Sequence, residues 1–231
     1  MFNGKMKAVT FSYDDGTTQD IRLVELLDKY GLKCTFNINS GVFGRAHIFK
    51  RDGRRVAHFR MPADRICEVY EGHEVAAHTL THASLTALSD EEIIRQVEED
   101  RKNLSEICGY EVVGMAYPNG SKYVDERVER LIKENTGIKY ARGTTRSNSF
   151  DIPQNLFHFY PTTHHLQFDQ LMEMGREFIE MTPTEPKLFY IWGHTFEMDF
   201  DSLNWYRLEE FFKLISGRDD IFYGTNKEVL L

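Results

Sequence analysis

Short apolar runs alternate with longer segments of helical periodicity along the chain. The first run covers residues 6–12, and a helix follows in which Ile21, Val24 and Leu27 recur at helical spacing before Gly31 ends it. Further apolar runs predict six more strands, at residues 34–38, 74–77, 112–116, 138–141, 156–160 and 187–192. Strands and helices that alternate in this way predict an α/β fold with a parallel sheet.

The number of strand–helix units distinguishes between two architectures. Seven or eight units in this length favour a distorted or incomplete (β/α) barrel of about seven parallel strands over an open doubly wound sheet. No G-x-G-x-x-G follows the first run, which removes the dinucleotide-binding form of the open sheet. We therefore predict a single domain over residues 1–231. Residues 40–62 contain three glycines and end on Pro62, which predicts an irregular excursion whose role stays open.

Charge and cysteine content exclude several classes of protein. The chain has 28 Lys and Arg against 36 Asp and Glu, a net charge of −8, and we expect no basic tract. Nucleic acid and anionic membranes are therefore unexpected partners, because phosphate binding needs concentrated Lys and Arg. Cys34, Cys67 and Cys108 are too widely spaced for a disulfide framework or a metal knuckle. No secretory signal or membrane span is visible, which favours a cytoplasmic protein unless an export signal was trimmed.

Polar residues follow the predicted strands, where a barrel carries its functional loops. The candidates in chain order are Asp14-Asp15-Gly16, His78-Thr79-Leu80-Thr81-His82, Tyr117-Pro118-Asn119-Gly120, Arg142 and Gly193-His194. Because the C-terminal strand ends of a barrel share one rim, we expect two acids, three histidines and an arginine to converge. Each piece alone is weak, since an H-x-x-x-H pair arises readily by chance and Asp-Asp-Gly is more often a turn than a site.

The combination of these groups indicates metal-dependent hydrolysis. One Asp and two His supply three metal ligands, and histidines four apart are expected to face one way on a helical turn. Three ligands leave positions open for water and substrate, as in catalytic sites. A bound metal lowers the pKa of its water and polarises a carbonyl, while a second carboxylate takes the proton and a histidine protonates the departing amine. This chemistry is hydrolysis of an amide or ester.

Two motifs resemble those of the polysaccharide deacetylases of carbohydrate esterase family 4, the NodB homology domain. Residues 12–16, S-Y-D-D-G, resemble the family's T-F-D-D-G, which implies that Asp14 is the catalytic base and Asp15 a metal ligand. The family's H-[ST]-x-x-H is matched at residues 78–82, which implies that His78 and His82 bind the metal.

The third and final motifs extend the resemblance. The family commonly has R-x-P-x-G, whereas here an alanine replaces the arginine before Tyr117-Pro118-Asn119-Gly120. The resemblance implies an oxyanion-binding backbone N–H at Asn119, with Tyr117 and Pro118 near the substrate. Since the family's arginine orients the catalytic Asp, we hypothesise that Arg142 replaces it. Residues 190–194 fit the final motif, which implies that His194 is the general acid and that Ile191 or Trp192 lines the acetyl pocket.

The resemblance implies a hydrolase of non-peptide carbon–nitrogen bonds that removes N-acetyl groups from an amino sugar or polysaccharide. Zinc is the expected metal, and cobalt and nickel also suit two imidazoles and a carboxylate. Two alternatives stay open: a same-fold amidohydrolase of a non-sugar amide, ureide or imide, and an inactive barrel that binds carbohydrate. We expect a carbohydrate or small acetylated substrate as the partner, and the oligomeric state is open.

Four other polar residues near the predicted rim are assigned ordinary roles. His164 and His165 follow the sixth predicted strand and are expected to be loop histidines. Glu197 and Asp199 follow His194 and are expected to be solvated acids, with a loop acid that hydrogen-bonds an imidazole as the alternative; no partner carboxylate for His194 is assigned.

Overall fold

The computed structural model describes residues 2–231, which contain ten strands and seven α-helices. The strands are β1 (Lys7–Asp14), β2 (Cys34–Ile38), β3 (Ala46–Arg51), β4 (Arg54–Phe59), β5 (Glu74–Ala77), β6 (Gly114–Ala116), β7 (Tyr140–Arg142), β8 (Thr163–His164), β9 (Lys187–His194) and β10 (Ile221–Tyr223). The α-helices are α1 (Asp20–Lys29), α2 (Ile66–Val69), α3 (Asp90–Cys108), α4 (Glu126–Asn135), α5 (Phe168–Glu180), α6 (Asn204–Ile215) and α7 (Asn226–Leu230). Short 3-10 helices cover Phe2–Gly4, Ser40–Val42, Ala63–Arg65, Leu85–Ala87, Ser121–Tyr123 and Thr195–Phe200.

Eight of the strands form one sheet in which every paired strand is parallel to its neighbour. The order is β7-β6-β5-β2-β1-β9-β8, and β10 pairs with the first half of β1. Because β7 and β8 stand at the two ends of this order, the barrel is incomplete. The prediction of a distorted or incomplete (β/α) barrel in a single domain is confirmed.

The central strand β1 is held by packing on both of its faces. All eight residues of β1 are buried, as expected for a parallel strand that is covered on both faces. On its outer side, Phe11 meets Phe212 of α6 edge-on, with 5.1 Å between ring centroids. Helix α3 begins directly after Ser89, whose hydroxyl accepts a hydrogen bond from the backbone N–H of Glu92 at 3.3 Å. The parallel strand–helix units place the carboxyl ends of the strands at one rim.

Residues 40–62 are more regular than predicted. Strands β3 and β4 form an antiparallel hairpin, hereafter the rim hairpin, which covers residues 46–59. Asp52 and Gly53 connect the strands, and both have left-handed backbone angles, with φ of 50° and 76°. Two left-handed residues in succession suit the two-residue turn that matches the twist of a hairpin. Asp52-Gly53 is therefore the local signal that the expectation of an irregular segment overlooked.

The strand predicted at residues 156–160 was wrong. This segment makes only one isolated bridge, between Phe159 and Arg142, and the sixth strand of the parallel sheet lies later, at Thr163–His164. Leu156 and Phe159 still form backbone hydrogen bonds with β7 and its flanking residue, and the buried Phe159 ring meets Tyr190 edge-on with 5.5 Å between centroids. Within residues 2–231, no helix combines the length and the apolar composition needed to cross a membrane.

Candidate metal centre

The carboxyl ends of the strands surround a cleft of about 390 Å³. Most of the predicted site residues line this cleft, namely Asp14, Asp15, His78, His82, Asn119 and His194, together with Tyr117 and Trp192. Pro118 is buried and does not line it, and Arg142 lies beneath its floor. The loops therefore bring the predicted acids and histidines together at one end of the barrel.

Asp15, His78 and His82 present their ligand atoms to one another. Oδ1 of Asp15 is 3.5 Å from Nε2 of His82 and 3.8 Å from Nε2 of His78. Burial lowers the pKa of both histidines, to about 4 for His78, so both are neutral at neutral pH. A neutral imidazole is the form that binds a metal.

The carboxylate of Asp15 fits a cation. Its buried Oδ1 accepts no hydrogen bond among residues 2–231, although it lies 2.9 Å from Nη1 of Arg60 and faces both histidines. A buried carboxylate oxygen without a hydrogen bond is costly, and a bound cation would add the missing interaction. The oxygen–nitrogen separations also approach those between tetrahedral ligands that bind at about 2.0–2.2 Å. The donor set of one carboxylate and two imidazoles suits zinc, cobalt or nickel.

His78 is held in the orientation that a metal ligand needs. Its Nδ1–H donates to the backbone carbonyl of Ala116 at 2.8 Å, which leaves Nε2 free to face Asp15. Ala116 occupies the position of the family's arginine, so this position contributes through its main chain. The backbone N–H of His78 also donates to the carboxylate of Asp100 at 2.9 Å.

His78 and His82 were expected to lie on a helical turn, and the structure shows that they do not. They follow β5 in a tight loop in which Thr79 and His82 have φ of 63° and 62°. The side-chain amide of Asn39 donates to the carbonyl of Thr79 at 2.8 Å and also to that of His78. This left-handed loop, rather than helical periodicity, brings the rings together, with 5.0 Å between their centroids.

Unfavourable backbone angles concentrate at the cleft. Residues 2–231 contain eight non-glycine residues with positive φ, and four of them are Asp15, Thr79, His82 and Asn119. Such angles cost free energy and persist where the surrounding structure enforces them, as it does at functional sites. Their location supports the assignment of this cleft as the functional site.

The rim hairpin and the residue that follows it supply two contacts to Asp15 that the sequence did not indicate. Nε2–H of the buried His58 donates to Oδ2 of Asp15 at 2.9 Å, and Arg60 forms an ion pair with Oδ1 at 2.9 Å. Burial raises the pKa of Asp15, but the His58 hydrogen bond and the Arg60 charge hold it well below its ordinary value. The hairpin therefore orients Asp15 and keeps it ionised.

Asp14 is paired with the arginine that was proposed for it. The guanidinium of the fully buried Arg142 donates to Oδ1 of Asp14. The side-chain amide of Asn37 donates to the same oxygen at 2.9 Å. Burial raises the pKa of Asp14, but the charge and hydrogen bond of Arg142 outweigh it and lower the pKa. Asp14 is therefore ionised and able to accept a proton.

Asn119 and Trp192 form opposite parts of the cleft wall. The backbone N–H of Asn119 donates no hydrogen bond within residues 2–231, and φ of this residue is 62°. Its side-chain amide donates to the Ser84 hydroxyl at 3.0 Å, which fixes the turn. Trp192 is largely buried, and the guanidinium of Arg142 lies 4.9 Å from its ring centroid. Trp192 thus forms an apolar surface above the Asp14–Arg142 pair.

His194 has a carboxylate partner that was expected to be a solvated acid. Its Nδ1 lies 3.3 Å from Oε2 of Glu197, in the 3-10 helix that follows β9. Burial lowers the pKa of His194, but the hydrogen bond and charge of Glu197 outweigh it and raise the pKa to about 9. Glu197 follows its histidine by three residues, so the capping geometry of a short helix is the signal that identifies this pair.

His164 and His165 also contact Glu197, contrary to the expectation of ordinary loop histidines. Their Nε2 atoms lie 3.2 and 3.0 Å from its Oε2. These three residues could geometrically hold a metal. The backbone N–H of Leu166 donates to Nδ1 of His164 at 3.3 Å, however, so the proton of that ring is on Nε2. His164 is therefore a hydrogen-bond donor to Glu197, and the cluster fixes the carboxylate that holds His194.

Comparison with protein families gives one extended match. The model of the family described as polysaccharide deacetylase matches residues 3–141. The peptidoglycan-N-acetylglucosamine deacetylase PgdA of Listeria monocytogenes is 26% identical over 135 residues. That alignment covers 57% of this chain and 24% of the relative, so the chain matches about a quarter of the relative's length.

Solved structures share the fold. The Xyl-CE4 domain of a multidomain xylanase from the hindgut metagenome of Trinervitermes trinervoides is similar with a TM-score of 0.61 and 16% identity. The alignment covers 96% of this chain and 89% of that domain. PuuE allantoinase is similar with a TM-score of 0.68 and 12% identity, over 96% of this chain and 88% of the other. At these identities the similarity establishes the barrel alone.

Proposed function

Because this chain belongs to the polysaccharide deacetylase family, we propose that it is a metal-dependent hydrolase that removes N-acetyl groups from an amino sugar or polysaccharide. The observation that carries the proposal is the convergence of Asp15, His78 and His82, whose ligand atoms lie within 4.8 Å of one another, beside the ionised Asp14. A site that only bound carbohydrate would gain nothing from an ionised acid and a protonated histidine beside such a cluster.

Asp15, His78 and His82 would hold the metal, and zinc is the first choice for this ligand set. When bound, the metal supplies a polarised acyl oxygen and a water of lowered pKa. The residues around the ligands set the charge and the orientation that metal binding needs. Asp15 is ionised through His58 and Arg60, and His78 directs Nε2 to the cluster because Nδ1–H is bonded to a carbonyl.

Asp14 is the proposed general base. Its pKa is lowered by Arg142, so it is ionised at neutral pH and can accept the proton of the water that attacks the acyl carbon. The free backbone N–H of Asn119 is the proposed donor to the oxyanion that develops. Tyr117 and Trp192 would contact the acetyl group and the sugar, whereas Pro118 supports the turn from below.

His194 is the proposed general acid. Glu197 raises its pKa to about 9, so the imidazole is protonated at neutral pH and can give a proton to the departing amine. The amine then leaves neutral and the acyl group leaves as acetic acid, which ionises in water. The proton on Asp14 passes to solvent and His194 takes one up, which restores both groups. Glu197 itself is held by His164 and His165, so it acts by positioning His194.

The substrate class is the part of the proposal that rests on family membership. The relative PgdA is a peptidoglycan-N-acetylglucosamine deacetylase by name, and it supports an N-acetylated sugar here. A cytoplasmic location, expected above, stays a prediction, and in that compartment the substrate would be a soluble acetylated sugar. The ureide alternative differs in the bond cleaved and in the product, so one assay separates the two.

The test is acetate release from N-acetylglucosamine oligomers of several lengths, with ring opening of allantoin measured in parallel. The protein is assayed as purified, after exhaustive chelation, and after zinc is restored. We expect acetate release that disappears on chelation and returns with zinc. Ring opening without acetate release would favour the ureide alternative, and activity that survives chelation would contradict the metal-dependent mechanism.

A further inference from the structure

The rim hairpin concentrates positive charge in an acidic protein. Residues 45–60 contain six of the chain's 28 Lys and Arg but only one of its 36 Asp and Glu. The expectation that the chain has no basic tract is wrong for this segment. The register places Lys50 opposite Arg55 and Arg51 opposite Arg54. Like charges directly opposite each other destabilise a strand pair, so this arrangement calls for an anionic counterpart.

A second cleft lies beside the tip of the rim hairpin. It has a volume of about 450 Å³, and Arg51, Arg54 and Arg207 of helix α6 line it. We call it the arginine cleft. It adjoins the metal centre, because Nη1 of Arg51 is 3.6 Å from Oε1 of Glu197, which lines the catalytic cleft. A ligand that extends from the metal centre past Glu197 would therefore reach these arginines.

The carboxylates of the chain neutralise the three arginines unequally. Arg51 lies 3.6 Å from Glu197 and 3.8 Å from Asp52, which also lines the cleft. Arg54 pairs with the half-exposed Asp201 at 3.3 Å. Within residues 2–231, no carboxylate oxygen lies within 4.0 Å of a nitrogen of Arg207. The guanidinium of Arg207 instead lies over the ring of Phe168, 5.6 Å from its centroid. Contact with an aromatic face leaves the hydrogen-bonding edge of a guanidinium available to a ligand.

We propose that the arginine cleft binds an anionic group of the substrate, a carboxylate or a phosphate, so that the enzyme acts on a negatively charged acetylated carbohydrate. The proposal rests on the proposed function for the identity of the reacting group. Arginine suits this role because its planar donors bind two oxygens of a carboxylate or phosphate together. The like charges that face each other on the rim hairpin would then select anionic substrates, together with the unpaired Arg207.

The test is an NMR titration of the ¹⁵N-labelled, zinc-loaded protein with three sugars of similar size: glucose, glucuronate and glucose 6-phosphate. Arginine Nε–H signals report the cleft, and none of the sugars requires turnover. We expect the signals of Arg54 and Arg207 to shift when a charged sugar is added. We also expect the dissociation constant of that sugar to be at least about tenfold lower than that of glucose. The stronger of the two charged ligands identifies carboxylate or phosphate.

Matched variants assign the preference to these arginines. The double variant Arg54→Gln/Arg207→Gln should bind charged and neutral sugars alike, whereas Arg54→Lys should keep part of the difference. Lys213→Gln, which removes an exposed charge elsewhere on α6, should keep all of it. Equal binding of the three sugars by the unaltered protein would overturn the proposal, as would a charge preference that survives the double variant. Acetate release, measured separately, decides the proposed function, so the two failures are distinguishable.

Discussion

Arg142, at the end of β7, donates a hydrogen bond to the carboxylate of Asp14, at the end of β1. Three strands separate these two in the sheet, and the pair is buried across the end of the barrel. In the family's usual pattern the arginine comes from the third motif, where this chain has Ala116. Here the guanidinium comes from β7, the neighbour of β6 in the sheet, and the main-chain carbonyl of Ala116 instead accepts a hydrogen bond from Nδ1–H of His78.

Removal of Arg142 should therefore impair the base. In Arg142→Ala, burial without a counter-charge raises the pKa of Asp14, so we expect kcat to fall about 100-fold or more and the acid limb of the pH profile to move upward. The charge-conserving Arg142→Lys should retain more activity. Loss of a buried partner also costs about 3–5 kcal/mol of stability, so circular dichroism must confirm folding. A folded variant with unchanged kcat and pH profile would show that Arg142 does not position Asp14.

Glu197 should set the alkaline limit of activity. Its charge raises the pKa of His194 to about 9, so the general acid stays protonated up to that pH. In Glu197→Gln the burial of His194 is no longer offset, and its pKa should fall by at least about one unit. The alkaline limb of kcat/KM should move down with it. Asp199→Asn is the control, because that acid bonds to Trp205 and Gln19 instead. Equal profiles for both variants would argue against this role of Glu197.

His58 should strengthen metal binding without being one of the three ligands. It donates to Oδ2 of Asp15 and fixes the carboxylate that faces His78 and His82. Loss of such an orienting hydrogen bond costs about 10–100-fold in metal affinity. We expect that loss in His58→Gln, measured by competition with a chelating dye. His47→Gln, at the paired position on β3, should bind zinc as the unaltered protein does. Unchanged affinity in His58→Gln would mean that the hairpin contact is incidental.

Asp20 should make stability depend on pH. It is fully buried, its Oδ2 accepts the Tyr70 hydroxyl at 2.7 Å, and burial raises its pKa to about 7. The folded state therefore holds a proton that the unfolded state releases near pH 4. Stability contributed by this group is present at low pH and declines as pH rises from about 4 to 7. Urea unfolding should show a flatter dependence for Asp20→Asn; an identical slope would mean that Asp20 does not titrate in this range.

Local sequence patterns located most of the barrel because its strands are short, buried and bounded by polar residues. The strand predicted at residues 74–77 has those bounds in the structure. The motif residues converge because every parallel strand ends at the same rim. The segment at residues 156–160 was misassigned because an apolar run that touches β7 through one isolated bridge has the same composition as a strand.

The contacts that complete the site depend on distant parts of the chain. His58 meets Asp15 across 43 positions, and its neighbours in the sequence carry no sign of a metal centre. The loop that joins His78 and His82 depends on Asn39, which holds it in a left-handed conformation that residue spacing does not reveal. The pairing of Glu197 with His194 was predictable from the sequence, because an acid three residues after a strand-end histidine can cap a short helix.

The most direct test of the central claim is the zinc content of the protein after equilibrium dialysis, measured by mass spectrometry for two matched double variants. His78→Ala/His82→Ala removes two proposed ligands, and His164→Ala/His165→Ala removes the histidines of the neighbouring Glu197 cluster. We predict one zinc per chain in the unaltered protein and in the second variant, and none in the first. Zinc retained by the first variant, or lost only from the second, would contradict the assignment of Asp15, His78 and His82 as the metal centre.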